Sequence, residues 1–223
     1  MNETIYAILL ILVEILFLYF TLRALRGAGM SSRSVSALGV GFVLWLGLAY
    51  VLLSQNFFSG TAVPQLSFGA VVIFPIVLGL LAQRFWGVFG TAVDAISTET
   101  FLSLQQMRFP FGVMFFLTDG LPLWFQLIGG LGDMAAGIGA FLALRRLRKN
   151  PSQVNQAIIA GNLMGILDFV VVITLAFFIV IPRQPTALDD MFNLIPTVVV
   201  PVFILLHIFS LQKLSRSERV AVV

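Results

Sequence analysis

Long apolar runs, rather than alternation, dominate the chain. They cover residues 4–22, 35–54, 66–82, 121–144, 154–181 and 192–211. Each is close to the roughly 20 residues that a helix rising about 1.5 Å per residue needs to cross about 30 Å of hydrocarbon. A seventh stretch, 100–117, reads TFLSLQQMRFPFGVMFFL and carries two glutamines and an arginine. Backbone polar groups in lipid are satisfied only within helices or closed barrels, and the absence of a period-two pattern selects helices. The expectation is an all-α, polytopic membrane protein with seven transmembrane helices in one domain, 1–223.

Charge sets the orientation and decides the fourth crossing. Cytoplasmic flanks collect Lys and Arg. With the N-terminus outside, Arg23, Arg26, Arg33, Arg84, Arg145, Arg146, Arg148, Lys149, Lys213, Arg216 and Arg219 fall inside, eleven of the thirteen basic residues. Arg183, Asp119, Asp189 and Asp190 fall outside, and Arg108 lies within the fourth span. Were 100–117 not to cross, the next helix would deliver the basic cluster LRRLRK, residues 144–149, to the outer face. Residues 83–99 read as a connector lying along the cytoplasmic interface, and 212–223 as a cytoplasmic tail. The first apolar run precedes its positive charges, the reverse of a cleavable signal peptide.

Composition agrees and narrows the chemistry. Of 223 residues, 59% are hydrophobic and 10% charged, too little polar surface to coat a soluble globule. The net charge of +3 is explained by topology, so nucleic acid is not called for as a partner. With no cysteine, thiolate metal sites, disulfides and cysteine nucleophiles are excluded. An internal echo pairs LRALRG at 22–27 with LRRLRK at 144–149, Gly39 with Gly161, and Pro75 with Pro201. It fits a 3+1+3 parallel repeat of the kind some transporters use.

Ionisable residues at membrane depth are costly, at about 2.5–3.5 kcal/mol each on insertion scales. Counting from the outer end of each span, Glu14, Arg108 and Asp133 lie roughly 15–17 Å deep, and Asp168 and His207 about 20–22 Å. Five residues from five spans therefore share a thin layer. Arg108 is the expected partner of Asp133. Gly129, Asp133 and Gly137 share one helix face, with Gly132 on another, and Gly161 and Gly165 precede Asp168; these glycines are expected to permit close helix packing. One arginine does not neutralise three carboxylates, so some carry a proton or the site is wet. Protonatable carboxyls at mid-membrane suit a proton-linked permease or small-solute carrier, with Arg108, Asp133 and Asp168 central and His207 and Glu14 in support. The plainer alternative is a scaffold whose buried polar groups fix helix register.

Other chemistries are excluded or weaker. A retinal Schiff base needs a lysine at depth, and Lys149 and Lys213 sit at helix ends. Bis-histidine haem needs two histidines where there is one. No zinc motif or nucleotide loop occurs, so neither cofactor nor metal is expected. Gly130-Leu131-Gly132-Asp133 resembles the motif of the GxGD intramembrane aspartyl proteases, which would make Asp133 one of two catalytic carboxyls. In that group the partner precedes the motif, whereas Asp168 follows it, and the Pro-Ala-Leu motif is absent. QQMRFPFGVMFF, LPLWFQLIGGLGD, NLMGILDFVV and LIPTVVVPVFILLHIFSLQKL resemble small bacterial multi-spanning membrane proteins without an assigned activity. That resemblance covers 105–214 and implies a bacterial inner membrane but no substrate.

Overall fold

A computed structural model describes residues 3–220. The side chains of Arg216 and Arg219, and residues 221–223 of the expected tail, lie outside the described set. The chain forms α1 (Glu3–Gly27), α2 (Ser32–Ser54), α3 (Pro64–Phe85), α4 (Gly87–Ala95), α5 (Thr98–Gln105), α6 (Arg108–Phe115), α7 (Leu123–Lys149), α8 (Val154–Leu175) and α9 (Val200–Val220). No strand occurs among the described residues.

Six of the described helices are long and apolar enough to cross a membrane: Thr4–Gly27, Ser32–Ser54, Pro64–Phe85, Leu123–Lys149, Asn155–Arg183 and Met191–Ser215. Large apolar side chains such as Leu44, Leu66, Leu163 and Phe178 stand on the outside. An outer surface of that kind is compatible with an integral, multi-pass membrane protein and costly in water.

Local chemistry explains the ends and interruptions. Gly29, at φ +95°, turns the chain out of α1 in the left-handed region that a side chain would resist. The Ser31 hydroxyl accepts from the Ser34 amide to cap α2, and Ser97 does the same for Thr100 at α5. Proline explains two departures from the α-helix. Pro201 has no N–H for the Thr197 carbonyl four residues earlier, and Ile195–Val199 widens into a π turn there. The indole Nε1 of Trp45, on α2, donates to that carbonyl at 2.9 Å.

The fourth expected span is not one helix. Pro110 can neither donate to the Gln106 carbonyl nor fit its ring against it, so the helix breaks at Gln106–Met107. The Gln106 oxygen accepts from Phe109 instead, at 3.0 Å. The α5–α6 pair runs antiparallel along α7. Glu99 lies 3.7 Å from Arg148 at one end, and at the other a Cβ on Gly129 or Gly130 would strike Phe115 or Phe116. Between them, a Cβ on Gly112 would lie 2.6 Å from the Gly130 carbonyl oxygen, so the two backbones touch.

Residues 83–99, the expected interfacial connector, contain α4. Its Phe89, Ala92 and Val93 are buried. Lys213, on α9, donates to the Asp94 and Ile96 carbonyls at 3.0 and 2.9 Å, closing the C-terminal end of α4. At the opposite end of the bundle, Asp189 accepts from the Phe58 and Ser59 amides, and Asp190 from Phe192 and Thr118. These acids tie the chain segments together at that end.

Candidate functional site

The break between α5 and α6 puts Arg108 at the first position of α6, pointing into the bundle and wholly buried. Its Nε donates to Asp133 Oδ1 on α7 at 2.7 Å, and its Nη2 lies 2.6 Å from the same oxygen. Nη2 also donates to Asp168 Oδ2 on α8 at 2.5 Å, and Nη1 to the Gly165 carbonyl at 2.8 Å. All three guanidinium nitrogens therefore have acceptors. One flat face is covered by Phe169, whose ring centroid is 3.8 Å from Cζ, an arrangement that favours a cation. Two neighbouring helices, α7 and α8, thus converge on one side chain.

Glycine makes that convergence sterically feasible. A Cβ on Gly132 would overlap the Asp168 carboxylate, and one on Gly165 would lie 2.5 Å from His207 Nε2 and 2.7 Å from Arg108 Nη1. Gly137 approaches the Phe109 backbone, Gly129 faces the Phe115 ring and Gly161 faces Leu102. The five glycines singled out in the sequence all sit at close approaches.

Beside the ion triad lies a neutral polar cluster. Asn162 donates to the Ile158 carbonyl at 2.7 Å and to Ser210 Oγ at 3.0 Å, so its side-chain oxygen is free to accept. His207 Nδ1 is 2.8 Å from that oxygen. In the neutral ring Nδ1 therefore carries the proton and Nε2 presents a lone pair, without a hydrogen-bond partner in the structure, over Gly165 beside Arg108. Gln105 completes the cluster, its amide nitrogen 3.4 Å from both Asn162 Oδ1 and His207 Nδ1.

Glu14 makes no hydrogen bond to this cluster. It is fully buried on α1, and neither carboxylate oxygen has a hydrogen-bond partner. The Phe203 ring lies 4.4 Å from Phe17, three residues after Glu14 on α1, and 5.8 Å from Arg108 Cζ. Gln105, Ser210 and Phe169 were not singled out in the sequence. Gln105 and Ser210 stand one helical turn from Arg108 and His207, and Phe169 adjoins Asp168. Among the described residues no group of three His, Cys, Asp or Glu side chains could hold a metal ion.

Two spaces approach the triad from opposite ends of the bundle. A cavity of about 310 Å³ between α3 and α8 touches Asp133 and Asp168 and extends towards Leu121 and Leu188. A groove of about 730 Å³ at the arginine-rich end, bordered by Arg23, Glu99 and Arg148, reaches Gln106 and Met107 at the helix break. Arg108 follows directly in the chain.

The described residues form an all-helical fold whose six long apolar helices suggest a multi-pass membrane protein. The profile of a domain of unknown function, DUF8737, matches residues 64–215, and the chain belongs to that family. Arg108, Asp133, Asp168 and His207 lie within the matched region, whereas Glu14 lies outside it. No curated protein and no solved structure matches the chain.

Proposed function

We propose that the protein is a proton-linked carrier of a small solute in a bacterial inner membrane, with its N-terminus outside. In this reading the fourth of seven crossings is the broken pair α5–α6. The antiparallel course of that pair along α7 supports the crossing, because α7 from Gly130 to Arg148 rises about 27 Å at 1.5 Å per residue. Residues 83–99 then lie at the cytoplasmic side.

The observation that carries the reading is the placement of Arg108. A discontinuous helix delivers it, fully buried, between two carboxylates, with a cavity on one side and a groove ending at the break on the other. Discontinuous crossings with central ion-binding groups are a recurring plan among secondary transporters. A thin charged partition between two opposed spaces is what alternating access requires. In this scheme Asp168 exchanges the proton, Asp133 holds Arg108 in place, and His207 offers Nε2 beside the guanidinium.

The aspartyl-protease alternative fares worse on this geometry. It needs two carboxyls that share a proton directly, and here a guanidinium nitrogen lies within 2.6 Å of an oxygen from each.

The absence of native cysteine gives a clean test. Ala176→Cys places a thiol on the cavity and Ser103→Cys on the groove. A carrier predicts that shifting pH from 8 to 5 changes labelling by a membrane-impermeant maleimide, normalised at each pH to a fully exposed cysteine because only the thiolate reacts, at the two positions in opposite directions, at least threefold. Labelling that stays constant at both positions rejects alternating access.

A further inference from the structure

The cavity that touches Asp133 and Asp168 has an unusual mixture of walls. Its sides are Phe68, Val72, Phe125, Val172, Phe192 and Ile204, with Phe177, just beyond the end of α8, over Gly69 of α3. Asn193 is the other polar residue on the lining, and its amide already donates to the Ala187 and Asp190 carbonyls at 2.6 and 3.2 Å. The interior therefore offers no free donor for an anion, a sugar or an amino-acid carboxylate. Arg108 does not stand on the lining, and its Nε, Nη1 and Nη2 are already directed at Asp133, the Gly165 carbonyl and Asp168.

The charge is equally specific. One guanidinium against two carboxylates leaves a single negative charge when both acids are ionised. A solute stripped of water in this space needs an apolar body to meet the walls and one positive charge to complete the triad. Aromatic rings around the cavity would add cation–π attraction for a weakly hydrated ammonium.

Building on the carrier reading, we propose that the site takes a small lipophilic monocation, of the quaternary-ammonium type, in exchange for a proton. The balance is simple. The protonated triad releases H⁺ from a carboxyl, and the cation pairs with the carboxylate left behind; no covalent bond is made or broken except that O–H. The charged or titratable groups around Asp168 are Arg108 from α6, Asp133 from α7 and His207 from α9. From α3 and from the segment before α9, the lining residues Phe68, Gly69, Val72, Ala187, Leu188 and Phe192 carry none. Cation and proton consequently compete, and binding weakens as pH falls.

The probe is benzyltrimethylammonium, and its neutral isostere neopentylbenzene has the same shape without the charge. Binding of radiolabelled benzyltrimethylammonium to the purified protein should be saturable and release close to one proton per cation in weakly buffered solution. The isostere and phenylacetate should compete at least tenfold more weakly. Asp168→Asn should lower affinity at least tenfold. Val72→Trp, which fills the cavity from α3, a helix that carries no triad residue, should do the same and guards against a folding defect at Asp168.

Equal competition by the isostere would show an apolar hole indifferent to charge and overturn the proposal. So would better competition by phenylacetate, absence of saturable binding, or wild-type affinity in both variants. The two readings fail separately. Opposed cysteine labelling without cation binding discards this ligand class and leaves the carrier. Cation binding with constant labelling leaves a cation-binding protein that does not alternate.

Discussion

Glu14 on α1 and Asp133 on α7 are both carboxylates buried in apolar helices, yet their surroundings differ. Asp133 meets Arg108 through two guanidinium nitrogens, while neither Glu14 oxygen has a hydrogen-bond partner. The contrast extends to the helices around them. Gly129, Gly130, Gly132 and Gly137 of α7 lie where a side chain would collide with a neighbour, but a Cβ on Gly41 or Gly47 of α2 would meet nothing within 4 Å. One region is held by close backbone packing around paired ions; in the other, Glu14 is buried without a hydrogen-bond partner beside a helix with open glycines. Burial alone therefore does not make a charged site. A compensating ion, brought in by a broken helix and admitted by missing side chains, does.

Substitutions should split along that line, beginning with the largest effect. Arg108→Met strands two buried carboxylates and should destabilise the protein by about 3–5 kcal/mol, read as a large fall in thermal midpoint in detergent. A midpoint near wild type would mean that the ions contribute nothing. Gly132→Val forces a branched side chain into the Asp168 carboxylate and should cost about 1–3 kcal/mol in the same melt. Glu14→Met keeps the volume and removes an unsatisfied acid, so stability should rise by about 1–2 kcal/mol. A marked loss there would show that Glu14 has a partner when folded in lipid. Gly47→Ala, in open space on a helix, should raise stability by about 0.5 kcal/mol. A clear destabilisation would instead mark that face as packed.

That Arg108, Asp133, Asp168 and His207 lie near one another was legible in the sequence; the rotation of each helix was not. Counting residues along each apolar run put Arg108, Asp133, Asp168, His207 and Glu14 in one thin layer, because helical rise is fixed. Which way each side chain points about its helix axis has no such ruler. A helix that is apolar all round carries no amphipathic stripe to fix its rotation. Glu14 thus makes no hydrogen bond to the Arg108 cluster, although the same count gave it a similar height. The broken fourth span was partly readable: Pro110 lies four residues after Gln106, and a proline ring cannot fit that carbonyl inside a helix. The polar glutamines drew attention to composition, while the proline decided the geometry. Trp45 shows the complementary limit. Its bond to the carbonyl freed by Pro201 joins residues 152 apart, and no local pattern announces it.

The central claim is that Arg108 and Asp168 are energetically joined inside the bundle. A double-mutant cycle of Arg108→Met with Asp168→Leu, followed by thermal unfolding in one detergent, measures that coupling. The account predicts that the double variant is less destabilised than the sum of the single variants by about 1.5–3 kcal/mol. Additivity within about 0.5 kcal/mol would contradict it.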